Sequence, residues 1–154
     1  MNSDQHSFVS SIALALAMLC MAPVATAQTQ PGAEEPIDMS AVHLQPKEQN
    51  GISYLEGGIG IDESRALQQT RGYNLQITLS SGPDNKYQSG AELRIESSNG
   101  QPVLTLQDIG PMLWAKVPAG HYQVVASLDG QQLRQQVVID GTAPVKVNLH
   151  WPQQ

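Results

Sequence analysis

Cysteine is almost missing from this sequence: Cys20 stands alone in 154 residues. It falls in an apolar N-terminal run that reads as removed, so the remaining chain has neither a disulfide framework nor thiol chemistry. Small exported domains often lean on disulfides; this one must hold itself by its apolar core. Aromatic residues are also scarce, with one Phe, two Trp and four Tyr. Phe8 lies in the same N-terminal run, which leaves Trp114, Trp151 and the tyrosines to supply the aromatic bulk. Basic residues are few, eight against fourteen acids for a net charge of −6, and they never cluster. That balance disfavours nucleic acid bound through its phosphates and docking to anionic lipid. No nucleic-acid partner is expected.

A long membrane-spanning run is missing too. Phe8 to Met21 is mostly apolar but short, and Pro23 follows it closely. Ala25-Thr26-Ala27 then supplies the small-x-small pattern of a signal-peptidase site. Residues 1–27 are therefore read as a signal peptide. The mature chain is expected in the periplasm or secreted, with no integral membrane span. Residues 28–50 are polar, carry Pro31, Pro36 and Pro46, and lack any period; they read as a disordered linker. Residues 51–72 read as a glycine-rich segment, with Gly57, Gly58 and Gly60, followed by a short helix. Asp62 is expected to cap that helix, and Glu63 suits its positive end.

What the sequence has in abundance is alternation. Seven short segments between residues 73 and 151 place apolar and polar residues in period two, the mark of strands with one buried face. Val145-Lys146-Val147-Asn148-Leu149-His150-Trp151 shows it most plainly. Tyr73, Leu75, Ile77 and Leu79 are expected to face inward on the first strand. Asn99-Gly100 reads as a two-residue hairpin turn, pairing Ile95 with Leu104 and Leu93 with Leu106. Asp129-Gly130 repeats the device, pairing Tyr122 with Val137, Ala126 with Leu133 and Val124 with Gln135. A glutamine opposite a core valine implies a bulge, a sheet end or a hydrogen-bonded core amide. The fold class is all-β: a seven-stranded Greek-key β-sandwich with one short N-terminal helix.

One strand carries apolar residues on both faces. Leu113, Ala115 and Val117 share one side; Met112 and Trp114 share the other with Lys116. Val125 and Val138 also point outward. Met112, Trp114, Val125 and Val138 therefore form a candidate binding patch. The plainer reading is that the short helix, with Ile61, Ala66 and Leu67, packs over it.

No catalytic, cofactor-binding or metal-binding set emerges. His43, His121 and His150 are scattered, the last two outward on strands, and zinc needs about four converging ligands. No G-x-S-x-G or H-E-x-x-H occurs. Gly57-Gly58-Ile59-Gly60 resembles a phosphate cradle only faintly, since no G-K-[ST] follows. Asp84-Asn85 offers too few carboxylates for calcium.

The stretch Trp114-Ala115-Lys116-Val117-Pro118-Ala119-Gly120-His121-Tyr122-Gln123-Val124 resembles the aromatic-x-x-L-P-x-G-x-Y-x-V hairpin of carboxypeptidase-regulatory-like domains, a transthyretin-like group. Gly57 to Glu63, with Tyr73-Asn74-Leu75 after it, is similar to a Gly-Gly-x-Gly-x-Asp-Glu segment in small exported bacterial proteins of that kind. The resemblance implies the sandwich, export and an accessory role, and it carries over no catalytic residue. Gly120 is expected to supply an unusual φ for the turn, Tyr122 to pack inward with its hydroxyl on backbone, and Trp151 to close the domain. The function expected is a non-catalytic binding or structural module of the periplasm or cell envelope, whose partner is an envelope protein or glycan. The alternatives are a carbohydrate- or peptide-binding protein, or a hydrolase whose site the sequence does not display.

Overall fold

The computed structural model describes residues 36–141 and 143–152, so the expected signal peptide and the first part of the expected linker lie outside the described residues. The seven alternating segments are all strands. They are β3 (Leu75–Ser81), β5 (Ala91–Ser97), β6 (Pro102–Ile109), β7 (Met112–Lys116), β8 (Gly120–Leu128), β9 (Gln131–Ile139) and β10 (Val145–Trp151). Three shorter strands join them: β1 (Lys47–Gln49), β2 (Ile52–Gly57) and β4 (Lys86–Tyr87). One helix, α1 (Ile61–Gln69), follows β2.

The strands form two sheets. The larger runs β1-β2-β7-β3-β10, with β4 also pairing β3; the smaller runs β6-β5-β8-β9. All pairs are antiparallel except β3 with β10, which run parallel in register from Leu75↔Val145 to Ser81↔Trp151. The chain crosses between sheets after β4, β6, β7 and β9. Between the sheets lies one core, in which Leu75, Ile77 and Leu79 of β3 meet Leu93 and Ile95 of β5. Trp151 is wholly buried there, and its Nε1–H donates to the Gln131 carbonyl at 3.1 Å. That bond ties the end of the larger sheet to the first residue of β9. The architecture is an all-β sandwich.

Registers follow the apolar pattern. Ile95 faces Leu104 and Leu93 faces Leu106. Tyr122 faces Val137, Val124 faces Gln135 and Ala126 faces Leu133. The second turn is the expected one, with Asp129 at φ 48° and Gly130 at φ 78°, the paired positive φ of a two-residue hairpin. The first differs. Only Gly100 has positive φ, and the Ser97 N–H donates to the Gln101 carbonyl at 2.8 Å, leaving three residues in the loop. A register shift between Ile95 and Glu96 then restores the apolar pairing. The bulge adds the residue that the longer loop removed, because a one-residue slip would turn the strand's apolar face to water.

Two boundaries move. The segment read as a glycine-rich stretch contains β2, which pairs with β7 from Ser53↔Lys116 to Gly57↔Met112. The end of the expected linker contains a 3-10 turn at Met39–Ala41 and the strand β1. A two-residue Asn50-Gly51 turn, both at positive φ, links β1 to β2. The Lys47 ammonium bonds the Glu56 carboxylate across that hairpin, and this contact raises the Lys47 pKa.

Tyr73 departs from expectation as well. It precedes β3 and packs outside the sandwich, against a second cluster formed by Leu55, Leu67, Met112 and Trp114. That cluster is a third layer: α1 lies on the outer face of the larger sheet, with Leu67 fully buried.

Candidate functional site

The glycine-rich joint between β2 and α1 is built to hold itself. Gly60 is the residue that caps α1, not Asp62. The Glu63 carboxylate accepts from the Gly58 and Ile59 N–H groups, both at 2.9 Å. The Asp62 carboxylate accepts instead from the Asp38 N–H at 3.2 Å, and the Ser64 hydroxyl donates to the Gly58 carbonyl at 2.8 Å. The faint phosphate cradle therefore already contains an anion, the chain's own Glu63. Each glycine has its own cause. A Cβ on Gly57 would stand 2.8 Å from a Leu44 methyl, and one on Gly58 2.9 Å from Met112 Cγ. At Gly60 space is open and the backbone, at φ 87°, is the reason.

Gly120 corrects an expectation. It has no positive φ; it opens β8 opposite Ile139. A Cβ there would lie 3.3 Å from the Tyr122 ring. The glycine is needed for close approach, since the Tyr122 hydroxyl folds back to donate to the Pro118 carbonyl at 3.0 Å. The expected bond to backbone is present.

The four residues of the candidate patch do not share a surface. Met112 and Trp114 lie on the outer face of the larger sheet, under α1. Val125 and Val138 belong to β8 and β9 of the smaller sheet. Val125 is only 2% exposed, flanked in register by Arg94 and Arg134, whereas Val138 is 53% exposed. The helix covers the first pair through Leu67 and not through Ile61, which is exposed. Gln135 is exposed, in an unbroken register on the edge strand β9. Of the three readings open to it, the sheet end is the one realised.

The outer face of the smaller sheet spends its polar groups on itself. Arg134 donates to the side chains of Gln132 and Gln123, and Arg94 pairs with Glu96 at 3.6 Å. The outer face of the larger sheet is different. Beside α1 runs a groove of 580 Å³, floored by outward residues of β3 and β10 and walled by Trp114, Tyr87 and Gln68. Ser80 on this face donates to the Asn148 side-chain oxygen at 3.2 Å and lies 3.0 Å from His150 Nδ1. This Ser–His contact is a cross-strand pair in the parallel register. The Ser80 hydroxyl is buried, and no carboxylate bonds His150 among the described residues. A neighbouring groove of 630 Å³ shares Tyr87 and Gln68 and is flanked by the exposed Ile59 and Ile61. His43 and His121 are exposed and apart from His150, and among the described residues no three His, Cys, Asp or Glu side chains gather in a metal-holding group.

Sequence reading missed two residues here. Asn74 clamps the end of β7: its side-chain amide donates to the Val117 carbonyl at 2.7 Å and its oxygen accepts the Val117 N–H at 2.8 Å. Tyr87, half exposed on a two-residue strand, lies in a stretch with no period. The signal for the first was an Asn directly before an apolar strand; for the second there was none.

The fold and this surface define a β-sandwich with a helix laid on one outer face. No protein-family profile and no curated protein matches the chain. Among solved structures it is similar to the major pilin subunit of Bacillus cereus, BcpA, with 17% identity and a TM-score of 0.40 over 52% of this chain and 29% of that one. A point variant of the same subunit matches at 18% identity and TM-score 0.40, over 49% and 28%. The chain thus spans less than a third of the length of the pilin chains it matches. No helix among the described residues is long and apolar enough to cross a membrane.

Proposed function

We propose that this chain is a non-catalytic, exported β-sandwich module of the carboxypeptidase-regulatory-like kind, with a binding or structural role in the periplasm or cell envelope. Its working surface is the free edge of β9, which takes an extended segment of an envelope protein as an added strand. The observation that carries this reading is a contrast among edges. Natural sheets protect an edge by shortness, bulges, proline or charge. The β1 edge is three residues long with Lys47 and Glu48. The β6 edge has Pro102 and two register shifts. The β10 edge, also in unbroken register, is shorter at seven residues and carries a lysine, Lys146. The β9 edge is nine residues in unbroken register, with no proline, one charge and four glutamines. Counting from the two-residue turn, the N–H and C=O groups of Gln132, Arg134, Gln136 and Val138 point away from β8. They offer a ladder to an incoming strand.

Gln136→Pro tests the reading. It removes one outward N–H and no bond of the sheet. A photo-crosslinker at Val138, in the mature protein expressed in its own envelope, is expected to trap a partner in the wild type and none in Gln136→Pro. Equal trapping in both, with the fold intact by circular dichroism, overturns the edge reading.

A further inference from the structure

We infer that the groove between α1 and β10 is a binding site for a short saccharide chain carrying a carboxylate. This site is independent of the β9 edge. It lies on the other sheet, and failure of either leaves the other standing.

Three observations carry the inference. First, most of the groove's polar side chains are uncommitted, the bonded Ser80 and Asn148 excepted. The side chains of Gln68, Gln76, Thr78, Asn85 and Lys146 all line it, and none makes a hydrogen bond or ion pair to a described residue. On the outer face of the smaller sheet, by contrast, Arg134 and Arg94 hold neighbouring side chains. Amides and hydroxyls each offer donors and acceptors together, which is the complement of a sugar's hydroxyl pattern.

Second, the wall is aromatic. Trp114 contributes to it although the residue is only 4% exposed. Tyr87, 50% exposed across the same groove, adds an aromatic face of the kind that packs against the apolar side of a sugar ring while its hydroxyl stays wet.

Third, the charge is selective. Among the described residues, Lys146 is the one charged side chain lining the groove, with no Asp or Glu beside it, although the chain as a whole has net charge −6. A site with one ammonium and no carboxylate favours a ligand bearing an isolated negative charge. The volume of 580 Å³ lies within the usual range of about 300–1,000 Å³ for small-ligand sites. A peptide lying across the groove floor fits less well, because the backbone of β3 beneath it is already paired on both sides.

The test is titration of the protein with tri-galacturonate, and with neutral galactotriose as its control, read by tryptophan emission and calorimetry. Saturable binding of the acidic trimer is expected, about tenfold tighter than the neutral one. Tyr87→Ala and Lys146→Gln, both at exposed positions, are each expected to weaken it about tenfold, and Lys146→Gln to remove the preference for the acid. The inference is overturned if neither trimer binds at about 10 mM, well beyond ordinary weak affinity. It is equally overturned if the two bind alike, if binding survives both exposed substitutions, or if a tetrapeptide with a free carboxylate binds and the saccharide does not.

Discussion

Trp114 is the residue on which the outer layer turns. It joins Leu55, Met112 and Leu67 beneath α1, and Trp114→Ala is expected to cost roughly 3–5 kcal/mol, the usual price of emptying a buried aromatic site. Denaturant unfolding measures it. Gly120 is a smaller site with a sharper cause. Gly120→Val places branched carbon against a ring already 3.3 Å from the first added atom, and overpacking of that kind costs about 1–3 kcal/mol. A thermal midpoint equal to that of the wild type would contradict the contact. Asn74 works by hydrogen bonds alone. Asn74→Ala leaves the N–H and C=O of Val117 unpaired at the end of β7, and each such buried group costs about 1–3 kcal/mol. Amide hydrogen exchange at Val117 is expected to quicken in that variant.

At the scale of the element, α1 is too short to persist alone, since isolated helices below about 12–15 residues are marginal in water. It stands because Leu67 docks on the sheet and Glu63 closes its entry. Glu63→Ala frees the Gly58 and Ile59 N–H groups and is expected to destabilise the protein by about 1 kcal/mol, as loss of an N-terminal cap does. The β5–β6 hairpin shows which force prevails in a strand pair. Its turn chemistry yields a three-residue loop, yet Ile95 still meets Leu104 because a bulge absorbs the difference. Burial outranked the turn. The β1–β2 hairpin adds electrostatics. Lys47 has a raised pKa through its bond to Glu56, so the pair contributes while pH stays below the lysine's unfolded value. The contribution disappears as pH rises through the folded value in the alkaline range. Lys47 is exposed and Glu56 only partly buried, and the effect on stability is small.

For the molecule as a whole, the two tryptophans report two different interiors. Trp151 is in the core between the sheets, and Trp114 is in the layer outside them. The layers share β7, whose alternate residues serve both. One cooperative transition is therefore expected. Trp114→Phe and Trp151→Phe, each leaving a single fluorophore, should unfold with emission coincident with circular dichroism. An earlier transition in the variant that retains Trp114 would show that the helix layer melts by itself.

Period-two alternation, the Asp129-Gly130 turn and the Tyr122 hairpin were legible in the sequence because they depend on neighbours a few residues apart. They specified seven strands and most of their registers. Asn50-Gly51 offered the same signal for β1 and β2, and it was masked by the polar, proline-bearing stretch around it. Tertiary structure alone decided which sheet each strand joined. That choice put Met112 and Trp114 on one face of the molecule and Val125 and Val138 on another, and it gathered Gln76, Tyr87 and Lys146 into one groove. Strand partners are selected by pairing across long separations and by the area each arrangement buries, and neither quantity is written in any short window of the chain.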